Sequence, residues 1–149
     1  MNDLHVLCRV AESNYVVSAA DVLQMESFAG ATKVPGAASE VAGLVQIRGR
    51  VVPVVDLRVI FGLPAIAPTM DSRVVVTSIG ERTVGLLVDS AREVLKIPAS
   101  EFQPPPSVVA QQTEGMVKAV AQVGTRLLML VDLAKVIGQE RGQEHRDGE

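Results

Sequence analysis

An aspartate that ends an apolar strand and opens a short helix occurs twice in this chain. Val55-Asp56-Leu57, followed by Ile60-Phe61-Gly62, returns 76 residues later as Val131-Asp132-Leu133, followed by Val136-Ile137-Gly138. An apolar run, a Gly-containing turn and a second apolar run precede each copy. In the first the turn is Arg48-Gly49-Arg50, and in the second Gly124-Thr125-Arg126. Two apolar runs across such a turn predict a β-hairpin. Each aspartate is placed to N-cap the helix after it, and Gly62 with Pro64 stops the first. Asp21-Val22-Leu23 and Glu93-Val94-Leu95 form a second matching pair, each after a strand-turn-strand unit. The pattern predicts two similar lobes of short antiparallel strands, each closed by a short helix. Residues 64–72, with two prolines and no periodicity, read as the linker between them. Residues 104–112, opening on Pro104-Pro105-Pro106, read as a stiff loop.

Composition excludes several classes of function. The chain has 149 residues, 48% of them hydrophobic, enough for one core in a single domain. Fourteen basic residues stand against 17 acidic ones, and aromatic residues make up 3% with no Trp. That argues against a nucleic-acid partner, which needs a basic face and stacking platforms. A lone Cys8 forms no internal disulfide and is compatible with a reducing compartment. No run approaches the roughly 20 apolar residues of a spanning helix, and the start MNDLHVLCRV lacks a signal-peptide pattern. A cytoplasmic protein without membrane insertion is expected, with a charged, flexible tail at 139–149.

The chemistry-bearing residues have structural explanations. His5 has no second His at ligand spacing, so neither a metal nor another cofactor is expected. Cys8 alternates with core residues of its strand, and Asp56 and Asp132 are better explained as caps than as a catalytic pair. Gly85 within a strand predicts a bulge or a close backbone approach, and Pro53 predicts an edge strand or a bulge. Arg48 is the exception: a planar guanidinium at a hairpin end suits carboxylates or carbonyls of another protein.

Together, Gly43-Leu-Val-Gln-Ile-Arg-Gly49, Val52-Pro-Val-Val-Asp-Leu-Arg58, Val84-Gly-Leu-Leu-Val-Asp89 with Glu93-Val-Leu95, and residues 127–133 resemble the CheW-like family of chemotaxis coupling proteins. The similarity runs from about Leu4 to Ile137. It implies an all-β fold with short helices, built as two pseudo-symmetric five-stranded SH3-like β-barrels in one CheW-like domain spanning 1–149. On the lobe reading, residues 4–63 with 136–138 make the first barrel and its packing helix, and 73–135 make the second.

The resemblance also implies a non-catalytic adaptor recruited to chemoreceptor arrays. It would couple the signalling tip of methyl-accepting chemotaxis receptors to the regulatory domain of a CheA-type histidine kinase, with other CheW-like domains as further partners. Arg48, Val74 and Val94 match receptor-contact positions, and Gly43 and Gly85 match glycines that keep the backbone geometry near those surfaces. Val22 and Gln24 fall in the segment expected to bind the kinase. The family favours an acid at Gln24, an Asn at Gln46 and a proline at Ala38. These departures motivate a second reading, a divergent array component that binds only receptor or only kinase. A small enzyme working between the lobes is a third reading, and it needs a converging polar constellation that the sequence does not display.

Overall fold

The computed structural model describes residues 3–138, so the expected tail at 139–149 lies outside the described residues. The strands are β1 (Leu4–Val10), β2 (Ser13–Ser18), β3 (Val22–Ser27), β4 (Val41–Ile47), β5 (Arg50–Asp56), β6 (Arg73–Ile79), β7 (Arg82–Val88), β8 (Ser90–Lys96), β9 (Val117–Val123) and β10 (Arg126–Val131). Helix α1 (Leu57–Ile60) follows β5, and residues 133–138 are helical after β10. Both aspartates cap as expected. Asp56 Oδ1 accepts the Arg58 N–H at 2.9 Å, and Asp132 Oδ1 accepts the Lys135 N–H at 3.2 Å. The stretch after Pro104-Pro105-Pro106 is not all loop, because Ser107–Gln112 winds into helix α2. Proline's fixed φ suits the residue before a helix, where Pro106 stands. Only Val109 of α2 packs against the core, so no apolar periodicity marks this helix.

The strands form two five-stranded sheets, in the orders β8-β1-β2-β10-β9 and β3-β6-β7-β5-β4. Neither sheet is one half of the chain. The first takes β1 and β2 from the first half and β8, β9 and β10 from the second, and the other sheet takes the complementary five. The division into a 4–63 barrel and a 73–135 barrel is therefore corrected. Each half's leading hairpin joins the trailing hairpin of the other half through a parallel pair, β2 with β10 and β7 with β5.

The two sheets share one register plan. A shift of 69 residues carries Leu7↔Val16 onto Val76↔Gly85, and a shift of 76 carries Leu44↔Pro53 onto Val120↔Met129. Bulges recur too. The β3 pairing with β6 skips Leu23, and the β8 pairing with β1 skips Arg92. Gln24 thus corresponds to Glu93 and Val22 to Ala91, so the sequence match of Asp21-Val22-Leu23 with Glu93-Val94-Leu95 is three residues out of register. Pro53 lies on neither an edge strand nor a bulge. It pairs with Leu44 inside the sheet, one residue before the β5–β7 ladder begins at Val54, where its missing N–H breaks no ladder bond.

Each sheet closes on itself. The segment after β3 bridges the far edge strand through Thr32↔Leu44, and the segment after β8 does so through Gln103↔Val120. Each barrel has its own interior cluster: Leu7, Val16, Ile97, Ala121 and Leu128 in the first, and Val54, Val74 and Val76 in the second. The largest cluster lies between them. It takes Val6, Cys8 and Val10 from β1, Val84, Leu86 and Val88 from β7, and Leu133, Val136 and Ile137 from the last helical residues. Strands β1 and β6 are consequently buried on both faces, and read as near-continuous apolar runs.

Asp89 stands where the chain crosses from β7 in one barrel to β8 in the other. Its carboxylate accepts Arg58 Nε at 2.9 Å, Arg58 Nη2 at 2.8 Å and the Ala11 N–H at 2.7 Å, and its own N–H donates to Arg9 O at 2.9 Å. Desolvation pushes the Asp89 pKa up, but the Arg58 and Ala11 hydrogen bonds and the charges of Arg58 and Arg9 outweigh it, and the net shift is downward. The hydrogen bond to Asp89 likewise raises the Arg58 pKa. A carboxylate held below its unfolded value stabilises the fold above that value and loses its contribution as pH falls through the folded pKa. Asp89→Asn should cost about 2 kcal/mol at neutral pH. In urea titrations at several pH values the deficit should shrink as pH falls below about 4; a deficit constant with pH would contradict the ion-pair account.

Candidate functional site

The expected contact residues fall into two groups. Arg48, Gly43, Val74, Gly85, Val22 and Gln24 all belong to the second barrel, whereas Val94 lies on β8 of the first. Val94 is 53% exposed. By the register relation its counterpart on the second barrel is Met25, 41% exposed beside Leu23 on the outer face of β3. Sequence reasoning passed over Leu23 and Met25, although β3 alternates between partly buried and exposed residues along its whole length.

Arg48 is exposed at the tip of the β4–β5 hairpin, in a two-residue loop with Gly49. Both residues have positive φ, 51° and 79°. That combination belongs to the type I′ turn, whose twist matches the flanking strands. A non-glycine residue in this region carries a steric cost of roughly 1 kcal/mol. Arginine at this position is therefore not the choice that backbone stability favours.

Gly43 and Gly85 are demanded by close packing. A Cβ at Gly43, where φ is +141°, would lie 2.3 Å from Thr32 O on the bridge that closes the barrel. A Cβ at Gly85 would lie 2.5 Å from Val74 Cγ1 and 3.3 Å from Val54 Cγ2. Gly85 sits in an uninterrupted ladder with β6, so of the two expected explanations, close approach applies. Val74 is only 1% exposed, which makes it a floor residue rather than a surface contact. Val22 packs partly against the shared core, and the Gln24 side-chain amide donates to Glu26.

Of the expected residues Val74 alone lines a groove of about 550 Å³ between β3, β4 and the loop after β3, and Val22 and Val94 lie away from it. Glu26, Phe28, Ala31, Gln46, Ile47 and Val74 are among the residues lining it. Gln24 reaches it through Glu26, Arg48 adjoins its Ile47 wall, and Gly85 underlies its floor at Val74. Its walls are mixed, with one carboxylate, one amide and several apolar side chains.

Titratable groups elsewhere are structural. Cys8 is fully buried, and desolvation raises its thiol pKa to about 12, which removes it as a nucleophile at neutral pH. His5 Nδ1 lies 2.9 Å from Asp3 O, and its ring packs against Phe102. Burial raises the Asp56 pKa against the opposing pull of its capping hydrogen bonds. Among the described residues no group of three or more His, Cys, Asp or Glu is arranged to hold a metal ion, and no helix is long and apolar enough to cross a membrane.

Comparison with known proteins agrees with this architecture. The family described as the CheW-like domain matches residues 4–141. The chemotaxis protein CheW of Rhizobium meliloti is 30% identical over 132 residues, which cover 89% of this chain and 85% of that protein. The chemotaxis protein CheW of Bacillus subtilis is 29% identical over 138 residues, 93% of this chain and 88% of its own. Among solved structures, the scaffolding protein TtCheW from Thermoanaerobacter tengcongensis superposes with a TM-score of 0.78 at 27% identity. That superposition covers 89% of this chain and 90% of the other.

Gly85→Ala should destabilise the protein by about 2 kcal/mol through overpacking against Val74. Combining it with Val74→Ala should cost less than the sum of the two single changes by about 1 kcal/mol, because the second makes room for the first. Additive denaturation free energies would show that the two sites do not press on each other.

Proposed function

The chain belongs to the CheW-like domain family, and from that premise we propose that it is a non-catalytic chemosensory adaptor. It couples the signalling tip of methyl-accepting chemoreceptors to the regulatory domain of a CheA-type histidine kinase. It acts in the cytoplasm, recruited to chemoreceptor arrays, where other CheW-like domains are further partners. The observation that carries this reading is Arg48, an exposed guanidinium held in a left-handed conformation at a hairpin tip, adjoining the groove's Ile47 wall. A residue kept there at a cost to the backbone fits a binding role, with a planar fork for carboxylates or carbonyls.

In this reading Arg48 and Val94 touch the receptor directly, while Val74, Gly43 and Gly85 shape the surface from beneath. Val22 and Gln24 mark the kinase-facing edge of β3. Gln24 supplies no charge there, but its amide fixes Glu26, which supplies one two residues away. That arrangement supports the ordinary adaptor over a component that has lost one partner.

Calorimetric titration against the kinase regulatory domain and against the receptor tip tests the assignment. Binding of both near micromolar, about −8 kcal/mol, is expected, and absence of heat with either would overturn the coupling role. Arg48→Glu should abolish receptor binding on a folded protein. Arg48→Gly should also weaken receptor binding while raising stability by up to about 1 kcal/mol, because glycine accepts the left-handed turn at no steric cost.

A further inference from the structure

The two barrels differ in chemistry at positions that their register plan makes equivalent. The closing bridges Gln103↔Val120 and Thr32↔Leu44 correspond, so the residues before them, Phe102 and Ala31, occupy the same place. In the first barrel Phe102 packs against the interior cluster and against the His5 ring, with centroids 5.2 Å apart at 53°. The same shifts carry His5 to Val74, Leu95 to Glu26 and Ile97 to Phe28. The second barrel has thus lost the aromatic plug at Ala31 and the ring it rests on, and has gained a carboxylate at Glu26 and a wall ring at Phe28. Val74, Glu26, Phe28 and Ala31 are all walls of the 550 Å³ groove.

This chain has no spare aromatic side chain to fill that groove. It contains one Tyr and three Phe. Tyr15 stacks on Phe61 at 4.4 Å, Phe102 rests on His5, and Phe28 is itself a wall. Glu26 takes its hydrogen bond from Gln24 and makes no ion pair among the described residues. We propose that the groove receives an aromatic side chain flanked by a basic residue, supplied by a partner protein in the way that Phe102 is supplied in cis to the first barrel. The ring replaces the missing plug, and the cation lies against Glu26. The proposal deepens the adaptor reading and rests on it only in taking the donor to be a partner protein.

The test is an amide NMR titration of the full chain with three capped tripeptides: Arg-Phe-Arg, Arg-Ala-Arg and Gly-Phe-Gly. Arg-Phe-Arg should shift Glu26, Thr32, Gln46 and Ile47, with Arg-Ala-Arg at least about tenfold weaker for want of the ring and Gly-Phe-Gly intermediate. Ala31→Phe should fill the groove, raise Tm and abolish these shifts. Phe102→Ala should open the equivalent space in the first barrel and produce new shifts at Val120 and Val123. Should either variant fold poorly, Glu26→Lys, at the groove wall, should reverse the preference between Arg-Phe-Arg and Gly-Phe-Gly. Equal affinity for Arg-Ala-Arg, shifts away from the groove, Arg-Phe-Arg binding that survives in folded Ala31→Phe, or no binding of any peptide at millimolar concentration would overturn the proposal. Calorimetry with the receptor tip and kinase domain reads the adaptor role separately, so loss of one leaves the other standing.

Discussion

Two parallel strand pairs hold this molecule together. Where β2 meets β10 and β7 meets β5, a hairpin from one half of the chain joins a hairpin from the other. Take either pair away and a barrel separates into two- and three-stranded fragments, which are marginal in water. Neither half of the chain can complete a barrel alone, so the two barrels are expected to fold as one cooperative unit. The interleaving also explains the largest cluster. Strands that alternate between a barrel interior and the shared core, such as β1 with Leu7 inside and Val6, Cys8 and Val10 outward, bind the two barrels through a common apolar layer. Asp89 reinforces the crossing point by tying α1 to the β1–β2 turn.

Local chemistry in the sequence was legible where a residue acts on its immediate neighbours. Asp56 and Asp132 announce caps because capping spans two or three residues, and the structure shows both. Arg48-Gly49 announces a tight hairpin for the same reason. Strand exchange between halves was not legible, because antiparallel hairpins look identical whether they pair with their own continuation or with a distant segment. The linker at 64–72 suggested a lobe boundary, but the sheets cross instead at two short connections, Ala19–Asp21 and Asp89. The mismatch at β3 and β8 has a similar origin. Their shared bulge is set by partner strands, while the matched triplets came from composition alone.

The candidate residues divide in the same way. Gly43 and Gly85 were identifiable as glycines needing an explanation, yet the explanation requires Thr32 O and Val74 Cγ1, which lie far off in sequence. Val74 is indistinguishable in sequence from its exposed neighbours in other strands, and only packing shows that it is a floor. Leu23 and Met25 were readable from the alternation of β3, but an edge strand with one outward apolar face looks like an ordinary half-buried strand until its free side is known.

Duplication supplies an internal control for separating structure from function. Positions that keep one chemical character in both barrels, such as the closing bridges and the capping aspartates, belong to the architecture. Positions that diverge under the same backbone plan need another reason. Val16 becomes Gly85, Leu95 becomes Glu26 and Phe102 becomes Ala31, and all three changes fall on or beneath one groove. A change forced by packing would be offset by a neighbour that takes up the lost volume, as Val74 does over Gly85. Phe28, at the place of Ile97, returns one ring to the groove wall, but a groove of about 550 Å³ still stands open beside Ala31. The first barrel plugs itself and the second does not, so the second is the half of this adaptor built to be completed from outside.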